Sequence, residues 1–325
     1  MASLGSTVDE VLPSFDDGIE IRDSRIANWA AMSSFKMSWM FASLYLLVIY
    51  YGMNFVQKRG SFNLRRIVFI YDVTMVLLNA YFVKEVFDVA LKEKFFFKCE
   101  VLDFREHPEA EKLVHSLWLF HISKLVECLD TVFFILSGKL RLVTWLHVYH
   151  HSTMIPYTWV LAKWIPGGQA FNLVLTNGSV HVVMYTYYAL AALGPAWRKY
   201  LWWKRYLTIL QMIQFVYGIA SCIGSLYLDC AYNPSVYYFS IVYILTILGC
   251  FYNHYHQTYR VGREHEKKVS RQLKLYGSPF VLFVINYVDK NRRKNLLREH
   301  AIGFMLIAAG RVCVYDVLLS IHTCF

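Results

Sequence analysis

Three histidines stand within one helical turn of an apolar stretch: His147, His150 and His151, in the run HVYHH. Spaced i, i+3 and i+4, their imidazoles share one helix face. Ionisable groups at membrane depth are expensive and are retained where they line a cavity or do chemistry. A neutral imidazole there can serve as nucleophile, base or hydrogen-bond donor. Upstream, SKLVECLDT puts Lys124, Glu127 and Asp130 at i, i+3 and i+6 with Thr131 beside them, so one face carries both signs. Lys124 and Glu127 read equally well as a buried ion pair that fixes helix packing. Asp130 is the better functional candidate, because it can orient a histidine of the adjacent helix by accepting its N–H.

Two further polar stripes follow. In NGSVHVVMYTYY, Asn177, His181, Tyr185 and Tyr188 recur every three to four residues on an otherwise apolar helix. A lone membrane histidine is usually a packed hydrogen-bonding residue, but His181 has partners on its own face and a histidine cluster one helix earlier. In TILQMIQ, Thr208, Gln211 and Gln214 stand three apart; the alternative for such glutamines is interhelical glue. His254 and His256 sit among tyrosines near a span end, where an interfacial aromatic belt accounts for them. Cys128, inside KLVECLDT, is read as packing.

The elements that position these residues are membrane helices. Of 325 residues, 57% are hydrophobic and only 17% charged, far from a soluble average. Seven apolar stretches approach the ~20 residues that cross a bilayer, near 35–56, 66–91, 114–137, 142–162, 170–192, 206–228 and 236–258. Residues 1–28 are acidic and polar, and no cleavable signal peptide is visible. Lysine and arginine collect after the first, third and fifth spans, at Lys58, Arg59, Arg65 and Arg66, at Lys139 and Arg141, and at Arg198, Lys199, Lys204 and Arg205. By the positive-inside rule these loops face the cytosol and the N-terminus faces the lumen. Cys99 and Cys230 fall in two of the opposite loops, which predicts a lumenal disulfide, with two free thiols as the alternative.

The net charge of +10 sits at loop ends beside spans rather than along one soluble face, so topology and anionic lipid explain it and nucleic acid is not a partner. There is no Gly-rich phosphate loop, no low-complexity linker and no internal repeat. The expected organisation is a lumenal N-terminal segment over 1–30, one seven-helix membrane domain over 31–260, and a C-terminal tail over 261–325. Residues 301–321 read as an amphipathic surface helix, an eighth membrane helix being the alternative.

KLVECLDT, HVYHH, HVVMYTYY and TILQMIQ, in that order across residues 124–214, resemble the ELO family of very-long-chain fatty-acid elongases, whose patterns are KxxExxDT, HxxHH, HxxMYxYY and TxxQxxQ. The similarity runs from about Met32 to Arg260. It implies an all-α, multi-pass enzyme of the endoplasmic reticulum with seven transmembrane helices, six of them forming an inverted barrel around an acyl tunnel. It also implies a 3-oxoacyl-CoA synthase that condenses a long-chain acyl-CoA with malonyl-CoA and needs no cofactor or metal. The reductases and dehydratase of the elongation cycle are the implied partners, and a homodimer is left open. The tail departs from the pattern, because such enzymes commonly end in a short polar segment with basic retrieval residues, whereas this sequence ends HTCF.

On that resemblance His150 is expected to take the acyl group, flanked by His147 and His151, with Asp130 fixing the tautomer. His181 is expected to act on the malonyl group, helped by Asn177 and Gln211. The runner-up is direct attack by the enolate on bound acyl-CoA in a ternary complex. CoA phosphates require cations, and those nearest the motifs are Lys204, Arg205, Lys139 and Arg141. Three other classes fit the residues less well. A di-iron desaturase needs about eight histidine ligands, whereas only His181 joins the single HxxHH; a seven-helix receptor needs no converging polar stripes; a transporter would carry broken helices.

Overall fold

A computed structural model describes residues 29–94, 108–164, 170–228, 230 and 234–261. Among the described residues the architecture is all-helical, with seven long helices: α1 (Phe35–Arg59), α2 (Arg65–Lys92), α3 (Pro108–Leu136), α4 (Trp145–Trp164), α5 (Ala170–Ala192), α6 (Lys204–Tyr227) and α7 (Pro234–Tyr255). At 1.5 Å per residue they are roughly 30–43 Å long, enough to cross a bilayer. One expected span falls on each. The chain divides into two units, Met1–His256 and Gln257–Phe325; of the second, only the residues up to Val261 are described, in the π-helical segment His256–Val261. Cys99, most of the tail and the region 301–321 lie outside the described residues.

Local chemistry sets the helix ends. Ser34, in extended backbone, accepts the Lys36 N–H at 3.2 Å and caps α1, which stops at Gly60 with φ of 87°. Pro108 opens α3, where its missing N–H costs nothing, and Glu109 and Glu111 lie in the first turn, where the helix dipole favours anions.

Four helices are apolar and long enough to span a membrane by composition alone: α1, α2, α6 and the helix running Pro234–Tyr259. The other three, α3, α4 and α5, carry the four motif stripes' lysine, carboxylates, histidines and asparagine, and these residues lower their hydropathy. Large apolar side chains face outward along α1 and α6, among them Leu44, Leu47, Phe55, Ile213 and Val216. In water such a surface would aggregate; against lipid it is the stable arrangement. The chain is an all-α, multi-pass membrane protein.

Helix contacts run in a circuit, α2 on α5, α5 on α6, α6 on α7, α7 on α4, α4 on α3 and α3 on α2, while α1 lies against α3 and α4. The tightest approach is α2 on α5. A Cβ at Gly178 would come within 2.5 Å of Val83 Cγ2 and 2.7 Å of Phe82 Cε2, so the absence of a side chain there sets the spacing of the two helices. The basic loops gather at one end of the bundle: Phe62 N–H donates to Leu136 O at 2.8 Å, and Gly194 packs by Arg65. At the other end Lys92 reaches Glu109 at 2.9 Å, joining α2 to α3.

Candidate active site

The polar stripe of α3 meets that of α5 as a ladder of three rungs. Lys124 Nζ donates to Asn177 Oδ1 at 2.8 Å, Glu127 Oε1 stands 3.0 Å from His181 Nδ1, and Tyr185 O–H donates to Asp130 Oδ2 at 2.8 Å. Three residues along α3 match four along α5, so the register of the two motifs, not either one alone, makes the pairs. Within α3, Lys124 Nζ also donates to Glu127 Oε1 at 2.8 Å. All six residues are buried, and the ion pair is almost fully so, at 1% and 0% exposure. An isolated charge at that depth would cost several kcal/mol, and here the partners cancel it.

The ladder fixes the His181 tautomer. Glu127 is an acceptor, so the hydrogen it receives from the imidazole sits on Nδ1, and the 3.4 Å approach of Lys124 to the same nitrogen is proximity rather than a second bond. Nε2 keeps its lone pair. This is the arrangement that orients a base, with the carboxylate behind the ring.

On α4 the three histidines have different surroundings. His147 Nε2 lies 2.7 Å from Thr131 Oγ1, which is itself 2.8 Å from Tyr45 O–H, so a hydroxyl chain from α1 through α3 ends on this ring. His151 is buried, its ring 4.4 Å from that of His147 and 6.3 Å from that of Tyr45. His150 is half-buried, and among the described residues its ring makes no hydrogen bond; it packs 5.4 Å from His151 and 6.4 Å from Phe251.

Two cavities meet at His150. A polar one is lined at the basic end by Lys139, Arg141, Lys204 and His254, and deeper by Asp130, His147, His150, His151, His181, Tyr188 and Gln211. The second, largely apolar, is lined by Met154, Leu161, Leu173, Ile244 and Ile247, with the rings of Tyr157 and Tyr243. His150, Asn177, Gln214 and Phe215 line both. Gln211 faces the polar cavity with its amide 3.5 Å from Met184 Sδ.

Several expected roles change hands. Asp130 does not orient a histidine: its carboxylate is taken by Tyr185, and Thr131, one residue on, holds His147 instead. The reason is angular, since residues one apart on a helix point about 100° apart and so face different neighbours. Arg205 does not line the cavity with Lys204; its Nε donates to Tyr255 O–H at 2.7 Å and its guanidinium stacks on the same ring. His254, read as part of an aromatic belt, lines the cavity mouth. Cys230 is buried and disulfide-bonded, while Cys99 lies outside the described residues. Cys128 packs as expected, its thiol over Lys124 O.

Sequence reasoning passed over Asp72 and Tyr45. Asp72 is a buried carboxylate lining the polar cavity; its signal was a lone acid in the apolar run IVFIYDVTMVLL, with no companion at helical spacing. Among the described residues no three of His, Cys, Asp and Glu are grouped to hold a metal ion.

The fold and site define a membrane enzyme whose histidines and carboxylates converge from separate helices on an internal cavity. The model of the GNS1/SUR4 family, ELO, matches residues 30–268, and the chain belongs to this family. It is 39% identical to "Very long chain fatty acid elongase 4" of Homo sapiens over 263 residues, covering 79% of this chain and 84% of that protein. It is also 34% identical to "Very long chain fatty acid elongase 2" of Mus musculus, covering 84% and 91%, and 38% identical to "Very long chain fatty acid elongase 7" of Rattus norvegicus, covering 73% and 84%.

Proposed function

We propose that this protein carries out the condensing step of fatty-acid elongation, joining a long-chain acyl-CoA to malonyl-CoA and releasing carbon dioxide and CoA to leave a 3-oxoacyl-CoA two carbons longer. The observation that carries the reading is the junction at His150 of a cavity with a cationic mouth and a cavity with apolar walls. A thioester joins those two chemistries: its phosphates suit Lys139, Arg141 and Lys204, its acyl chain suits the apolar cavity, and its carbonyl falls between them at the histidines. Family membership and the named relatives support the same step. The desaturase and receptor readings draw no support from either.

In the covalent route His150 attacks the acyl carbonyl, the C–S bond breaks, and CoA leaves as the thiolate. Malonyl-CoA then loses carbon dioxide, and the enolate carbon attacks the acyl-imidazole; the C–C bond forms, the C–N bond breaks and His150 is restored. The two substrates supply every atom, so the step consumes no cofactor. His181, with Nδ1–H held by Glu127, lines the cavity where malonyl-CoA is decarboxylated, and the side-chain amide N–H groups of Asn177 and Gln211 are the donors that steady the enolate oxygen. The product carries a 3-oxo group, which reduction, dehydration and a second reduction remove before another round; reductases and a dehydratase are therefore the expected neighbours.

We read all seven helices as membrane spans and the circuit of α2 to α7 as a barrel closed around the substrate, with α1 outside it. The gathered basic loops support a cytosolic mouth, which puts the N-terminus in the lumen of the endoplasmic reticulum. The disulfide at Cys230 supports pairing with Cys99 on the oxidising side.

Product analysis tests the reading. Purified protein given labelled malonyl-CoA and a panel of acyl-CoAs should yield labelled 3-oxoacyl-CoA and carbon dioxide, and no 3-oxo product from any member would end it. Acyl-CoA alone should release about one CoA per site and leave label on His150; release only after malonyl-CoA is added favours the ternary complex.

A further inference from the structure

One carboxyl group lining the polar cavity has no partner among the described residues. Asp72, two turns into α2 from the basic end, is 2% exposed, and among the described residues it makes no hydrogen bond and has no cation within 4 Å; its Oδ2 is buried and unpartnered. Among the described residues the other carboxyl lining this cavity, Asp130, accepts from Tyr185. A polar oxygen buried without a partner costs about 1–3 kcal/mol, a cost a protein carries where a ligand relieves it.

The chemistry of the surroundings narrows the ligand group. Phosphates are served by the cations Lys139, Arg141 and Lys204 of the same cavity, and an acyl chain would leave Asp72 unpaired. An N–H donor satisfies it. Asp72 lines the same cavity as the cations at the mouth and the histidines at depth, and the part of a CoA thioester that runs from phosphates to sulfur is the pantetheine arm, with two secondary amides. Each amide loses water on entering, and its N–H needs an acceptor.

We propose that Asp72 is a positioning residue for CoA thioesters, its carboxylate accepting an amide N–H of the pantetheine arm. This rests on the condensation reading, and it makes the carboxylate part of what sets how far the thioester reaches toward His150.

Binding tests it without turnover. The affinity of the full-length protein for a long-chain S-alkyl-CoA thioether is measured beside two analogues in which each amide N–H in turn is replaced by an ester oxygen. In the parent, one replacement should weaken binding roughly tenfold or more, the size of a lost hydrogen bond to a charged group. In Asp72→Leu the unmodified thioether should already be weaker by a similar factor, and the sensitive replacement should cost nothing further. Asp72→Asn keeps an acceptor and should retain the discrimination. If Asp72→Leu does not fold, Asp72→Ala carries the same comparison. Tolerance of both replacements by the parent, or an equal penalty with and without the carboxylate, overturns the proposal. A protein that binds as described but makes no 3-oxo product would sink the condensation reading and leave Asp72 in place.

Discussion

His181 and His150 are two imidazoles of one site under opposite restraint. His181 is clamped: Glu127 holds its Nδ1, Lys124 holds Glu127, and Asn177 holds Lys124 in turn. His150 stands where the two cavities meet, and no hydrogen bond among the described residues ties its ring. A clamped ring has one tautomer and one direction, which suits a base. An untied ring can gain and lose an acyl group without breaking a network, which suits a nucleophile. On the proposed mechanism, the contrast teaches that restraint in this site follows the job each histidine would do.

Removing the untied ring is the sharpest way to break the comparison. His150→Ala should lower kcat roughly a thousandfold or more and abolish CoA release from acyl-CoA alone. Burst kinetics under single-turnover conditions measure it; a burst equal to the parent's would move the nucleophile elsewhere.

Loosening the clamp comes next. Glu127→Gln leaves the Lys124 charge buried without its counter-ion, at a cost of about 3–5 kcal/mol in stability, and it frees the His181 tautomer, so kcat should fall about a hundredfold. Replacing both members, Lys124→Met with Glu127→Leu, should restore most of the stability but none of the activity. Thermal unfolding and turnover on the same preparations separate the two effects.

The cavity mouth gives a smaller effect, on KM rather than kcat. Lys204→Ala should raise KM for acyl-CoA about fivefold to tenfold, and less so at high salt. Arg205→Ala should change it by less than about twofold, because that guanidinium is turned to Tyr255. Equal effects from the two would mean that Arg205 swings to the phosphates when substrate binds. Smallest of the four, Thr131→Val should cut kcat by about threefold or less, since it removes only the hydroxyl that links Tyr45 to His147.

The seven helices and the faces that carry chemistry were legible because helical spacing is local: Lys124, Glu127 and Asp130 line up on α3, and Asn177, His181 and Tyr185 on α5, whatever surrounds them. The four motifs were legible for the same reason, and the family followed from them. Which residue each would meet was not. Asp130 and Thr131 are adjacent in the chain, yet one meets α5 and the other meets α4 and α1.

The sequence by itself determined the membrane setting, the number of long helices and the set of polar residues that must be satisfied inside them, since hydropathy and periodicity need no partner. Tertiary structure alone decided the pairings: His181 with Glu127, Asp130 with Tyr185, Arg205 away from the mouth, and Asp72 into it. Those depend on how helices far apart in the chain cross and slide against one another. Burial against close-packed neighbours such as Gly178 on Phe82 and Val83 fixes that register to within a fraction of a helical turn, and no local pattern encodes it.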